Sequence, residues 1–107
     1  MKTVRSCRDL VVCQKAMNLA VRIHKVTRPF PKEEFLALTA QLRKSSTSLP
    51  SNIAEGRGRR STRDYVRFLC ISRGSTNETE TQLTLSLRYG YISPSVHHET
   101  PERPPDP

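Results

Sequence analysis

Five arginines fall in one short stretch, Arg57, Arg59, Arg60, Arg63 and Arg67, with Gly56 and Gly58 set among the first of them. Guanidinium forks match phosphate oxygens in pairs. A glycine-bearing connection lets backbone amides turn toward an anion, and a helix starting at Ser61 offers unpaired N–H groups. The chemistry this pattern suits is contact with the phosphate backbone of RNA or DNA. The string lacks the Gly-Lys-Ser/Thr ending of a Walker loop, and no strand precedes it as a dinucleotide fingerprint requires. The competing reading is structural: the arginines pair locally with Glu55 and Asp64, or solvate the turn.

Other reactive side chains form no constellation. His24 lies beside the apolar stripe of a helix, where a hydrogen-bonded core histidine is the ordinary role. His97, His98 and Glu99 are adjacent in a proline-rich tail and lack helical ligand spacing. Ser45, Ser46, Thr47 and Ser48 have no partner base, and small residues there allow close helix approach beside Pro50. Cys7, Cys13 and Cys70 are odd in number with no Cys-x-x-Cys pair, so buried or idle thiols are expected rather than a disulfide framework or a zinc site. The reading is a non-enzymatic protein with no catalytic residues, no metal and no cofactor. Base-specific recognition is not indicated either. There is no helix-turn-helix or zinc module, and only Tyr65 and Phe68 lie among the arginines, where helical period would bury at least one.

The elements that position this corner are helical. The chain has 107 residues and a net charge of +8, which fits one domain and favours polyanionic partners. Charge is uneven: residues 1–28 contribute +6, 29–55 are neutral, 56–73 contribute +5 and 74–107 contribute −3. Val12, Ala16, Leu19, Ile23, Val26 and Phe30 step by three and four, predicting a helix over about 7–28, capped by Ser6 and stopped by Pro29 and Pro31. A second, over 32–56, presents Phe35, Leu38, Leu42, Leu49 and Ile53. Pro50 should kink it rather than break it, since the apolar period continues in phase to Ile53, and Gly56 and Gly58 should end it.

A third helix, over 62–88, starts at Ser61 with Asp64 three residues on and ends at Gly90. Tyr65, Leu69, Leu83 and Leu87 should face inward, and Ser72, Thr76 and Thr79 weaken its middle. Residues 1–93 thus form a helical bundle domain. Five of the eight prolines lie within residues 94–107, predicting a disordered tail. No apolar run reaches the roughly 20 residues of a membrane span, so a cytoplasmic location without membrane contact is expected.

Several strings taken together resemble a known family. Arg8-Asp9-Leu10 with Gln14-Lys15-Ala16, Phe30-Pro31-Lys32-Glu33-Glu34, Leu49-Pro50-Ser51-Asn52-Ile53-Ala54-Glu55-Gly56, Gly58-Arg59-Arg60-Ser61 and Glu80-Thr81-Gln82-Leu83 are similar to the four-helix bundle protein family. Its members are also known as 23S rRNA intervening-sequence proteins, and the likeness covers about residues 5–93. The resemblance implies an all-α, up-and-down bundle of four helices in a small bacterial cytoplasmic protein, with relatives that assemble as homopentamers. It also implies gene contexts within ribosomal RNA insertions, and a related group that binds nucleic acid and a reverse transcriptase. Pro50, Asn52, Glu55 and Gly56 belong to the shared string, and for Asn52 and Glu55 a structural hydrogen bond across the bundle is expected. The sequence departs from the family at Cys13, where an aromatic is usual, at Thr76 and Thr79, and after Ser93. There the fourth helix is replaced by a short proline-rich tail. That loss would leave an apolar groove to be covered by another copy of the chain, by a domain-swapped helix or by nothing. The alternatives to a nucleic-acid role are therefore a homo-oligomeric interaction scaffold, or a truncated or frameshifted member without function.

Overall fold

A computed structural model describes residues 10–59 and 61–99. Four α-helices follow in order: α1 (Val11–Val26), α2 (Leu38–Arg57), α3 (Thr62–Arg88) and the short α4 (Pro94–Glu99), with a 3₁₀ turn at Lys32–Glu34 between α1 and α2. The described residues contain no strand. The bundle is all-α as expected, three long helices and one short.

Each long helix buries the stripe its period dictates. From α1 come Cys13, Ala16, Leu19 and Ile23, from α2 Leu38, Leu42, Leu49 and Ile53, and from α3 Leu83, joined by Phe30 and Ile92 at the turns. Val12, Val26, Leu69 and Leu87 pack on this core partly buried. α2 is the central element, packing against both α1 and α3, while α4 touches α3. α2 runs unbroken through Pro50, which is itself buried.

Several sequence expectations are corrected. The second helix does not begin at 32: the 3₁₀ turn and residues 35–37 precede α2. Phe35 therefore leaves the inner stripe and is 61% exposed. Gly56 is not a terminator but a buried residue inside α2. A Cβ on it would lie 2.8 Å from Phe68 Cβ and 3.1 Å from Tyr65 Cδ1, so the missing side chain is what lets α3 approach. Gly58 is the C-cap, with a right-handed φ of −76°. The tail is not disordered from its first residue, because Pro94–Glu99 is helical. Ser93 Oγ accepts the Val96 N–H at 3.3 Å, with Pro94 at the first helical position, where its missing donor costs nothing. Residues 100–107 lie outside the described residues.

Ser61 Oγ accepts the Asp64 N–H at 3.1 Å, capping α3, and Gly90 has φ +82°, the left-handed conformation expected after the helix. His24 is exposed rather than set in the core, and its carbonyl accepts from Arg43 Nη2 at 3.4 Å. Cys13 is fully buried and disulfide-bonded, which corrects its reading as an idle thiol. Cys70 is a free thiol at the surface, and Cys7 lies outside the described residues.

The middle of α3 is better satisfied than its composition suggested. Ser72, Ser75, Thr76 and Thr79 are all buried against α2. Thr79 Oγ1 donates to the Ser75 carbonyl at 2.9 Å and lies 2.8 Å from Ser45 Oγ, which also lies 2.8 Å from Gln82 Oε1. Ser48 Oγ meets Ser75 Oγ at 2.8 Å, and Ser72 Oγ reaches the Leu49 carbonyl at 3.4 Å. Hydroxyls thus link the two helices where apolar side chains are absent, because buried polar groups need partners.

Candidate nucleic-acid interface

The α2–α3 junction gathers the arginines through two neighbouring rings. Arg57 has its guanidinium carbon 5.3 Å from the Tyr65 ring centroid. Arg59 and Arg67 both lie over Phe68, at 5.1 and 4.9 Å. A guanidinium resting on a ring is held by the ring's negative face while its edge N–H groups stay available. Tyr65 and Phe68 are each half-buried. The expectation that one of them would be buried is corrected, since the rings lie at the edge of the α2–α3 contact that Gly56 makes possible.

Each sequence-predicted residue has a distinct setting. Arg57, Arg59 and Arg67 are exposed and ring-stacked. Arg63 is exposed with no ion pair among the described residues, and Arg60 lies outside them. Glu55 pairs with Arg59 one helical turn on, both at the surface, so its hydrogen bond does not cross the bundle. Asp64 forms no such pair among the described residues. Asn52 Nδ2 donates to the Ser48 carbonyl at 2.8 Å and to Ser48 Oγ at 2.9 Å. Its bonds stay within α2 and reach α3 only through the Ser48–Ser75 hydroxyl contact.

The amides of Gly58 and Arg59 are used within the end of α2. The Gly58 N–H donates to the Ala54 and Glu55 carbonyls, and Arg59 N–H to Gly56, each at 3.1–3.2 Å. Those amides close α2, and Ser61 takes the Asp64 N–H. The Gly58 and Arg59 amides are therefore not turned toward a ligand, a point that residue types alone did not disclose. The roles of Tyr65 and Phe68 were likewise missed, because which rings lie under which arginines depends on the crossing of α2 and α3 rather than on spacing.

Among the described residues no three His, Cys, Asp or Glu side chains converge in a way that could hold a metal ion. No helix among them is long and apolar enough to cross a membrane. A comparison with curated proteins finds no match. The family model described as 23S rRNA-intervening sequence protein matches residues 8–103, a span that includes all four helices. The chain belongs to the 23S rRNA-intervening sequence protein family.

Proposed function

We propose that this protein is a non-enzymatic, nucleic-acid-associated member of its family that contacts the phosphate backbone, of RNA in the first instance, through Arg57, Arg59, Arg60, Arg63 and Arg67. The observation that carries the reading is the set of three ring-stacked guanidiniums at the α2–α3 junction. Among the described residues only one of them is matched by a carboxylate, Glu55 on Arg59. Unmatched positive charge that is held in place is what a polyanion selects, and the net charge of +8 supports the same partner. The family's name, with its reference to 23S rRNA, favours RNA over DNA. No base-reading element accompanies the arginines, so recognition is by backbone and shape. A bacterial cytoplasmic setting accords with such a partner.

Binding of an RNA hairpin and of its DNA counterpart across a salt series tests the reading. Four neutralised phosphates on duplex DNA give a slope of log affinity against log salt of about −3.6. The combined variant Arg57→Ala, Arg59→Ala, Arg63→Ala should flatten the slope by about 0.9 for each contact removed. A flat response in the native chain, or equal binding by the variant, overturns the proposal.

A second reading, a homo-oligomeric scaffold, is favoured by large apolar side chains left at the surface. Val11 is 75%, Val21 52% and Leu36 88% exposed. Apolar groups of this size left in water favour a partner surface. Light scattering of the purified chain distinguishes a monomer from an assembly.

A further inference from the structure

The connection between α1 and α2 borders a cleft of about 410 Å³, within the range of small-molecule sites. It lies at the opposite end of α2 from the arginine corner. The 20 residues of that helix separate the two by about 30 Å at 1.5 Å per residue. Three cationic side chains line it, Arg28, Lys32 and Arg43, and no carboxylate does. Arg28 and Lys32 are exposed and form no ion pair among the described residues. Arg43 is oriented by neutral oxygens: Nε donates to Thr27 Oγ1 at 2.9 Å and Nη2 to the His24 carbonyl. Its fork is fixed while its charge is unmatched by a carboxylate among the described residues.

The remaining walls are apolar or unsatisfied. Phe30 is buried behind the cleft, whereas Phe35 stands 61% exposed at its side, a position that core packing does not require. Thr39 is buried, and its hydroxyl has no hydrogen-bond partner. A concave surface with clustered positive charge, an exposed ring and an unpaired hydroxyl suits an anion joined to a flat apolar body. Phosphate oxygens match the cations, and a base stacks on an aromatic side chain whatever its identity.

We infer that this cleft is a binding site for a small organic anion of the nucleoside monophosphate class, with Arg28, Lys32 and Arg43 holding the phosphate and Phe35 stacking on the base. The inference is independent of the α2–α3 corner. The test is a ¹⁵N–¹H titration of the full chain with adenosine monophosphate. Saturable shifts confined to residues 27–43 are expected, with a dissociation constant on the order of 1 mM or tighter. Adenosine alone and inorganic phosphate alone should each bind at least about tenfold more weakly. The exposed pair Arg28→Ala, Lys32→Ala should weaken adenosine monophosphate by about tenfold or more, and Phe35→Ala should do likewise, with the rest of each spectrum unchanged. The variant Arg57→Ala, Arg59→Ala should bind it as the native chain does. Absence of saturation, shifts centred on residues 57–67, loss of binding in that corner variant, or phosphate binding as tightly as the nucleotide would overturn the inference.

Discussion

Two glycines inside helices have opposite consequences, and the difference lies in what surrounds them. At Gly56 a Cβ would meet the Phe68 Cβ at 2.8 Å. That atom is the root of its side chain and cannot swing aside, so the helices themselves must part. Replacing glycine by alanine gains about 1 kcal/mol of helix propensity, but overpacking costs about 1–3 kcal/mol. Gly56→Ala should therefore destabilise the fold, by up to about 2 kcal/mol. At Gly74, in the middle of α3, a Cβ meets nothing within 4 Å. Only the propensity remains, and Gly74→Ala should stabilise by about 0.5–1 kcal/mol. Urea midpoints measured at unchanged m-value check both. A stabilising Gly56→Ala would show that α3 does not depend on this close approach.

At the level of elements, α2 and α3 are joined by hydroxyls as much as by apolar contact. Ser45 Oγ has Thr79 and Gln82 at 2.8 Å, and Thr79 also donates to Ser75, so each of the two hydroxyls keeps another partner when the other is removed. Ser45→Ala and Thr79→Val should each cost about 1 kcal/mol, with a coupling of about 0.5–1.5 kcal/mol in the double-mutant cycle. Strict additivity would mean the 2.8 Å contact contributes nothing. The far end of α3 is tied differently. Tyr91 packs on Phe30 with ring centroids 5.2 Å apart and donates its hydroxyl to Glu34 Oε2 at 2.8 Å, fastening the turn after α3 to the 3₁₀ turn. The hydrogen bond to Glu34, then desolvation and the nearby carboxylate charge, push the phenol up from 10.0 to about 12. Between those values the unfolded chain releases this proton before the folded one does. The tie's contribution is therefore full below pH 10 and falls as pH rises through about 12. A tyrosinate absorbance titration should show a late component that disappears in Tyr91→Phe. A native titration with no component later than an ordinary tyrosine would mean that the hydroxyl is not held by Glu34.

Over the whole molecule, one sequence carried the helices and their faces but not their crossings. The three- and four-residue steps from Val12 to Val26 set the buried side of α1, Ser61 set the start of α3 and Gly90 its end, because each acts within a turn or two of itself. Phe35 was misplaced because the 3₁₀ turn breaks the phase of the stripe before Leu38. Gly56 and the rings under the arginines could not be placed, since their roles arise only where α3 lies against α2. The resulting body is elongated, 48 × 22 × 20 Å with a radius of gyration of 14.7 Å, against about 13 Å for a compact domain of this length. The backbones of α1 and α3 each approach α2 closely but not one another, and α4, with six residues, is about 9 Å long at 1.5 Å per residue, too short to lie between them along their length. Met17 and Val21 of α1 and Val66 and Ile71 of α3 consequently remain 39–52% exposed. If a second copy covers such residues, association binds only the folded state, and the melting temperature must rise with protein concentration. The native chain is expected to show that rise, and Val21→Lys with Leu36→Lys, both at exposed positions, to abolish it while keeping the same melting temperature at high dilution. A native melting temperature independent of concentration, together with a monomer mass by light scattering, would leave the exposed apolar residues without a partner copy and remove the scaffold reading.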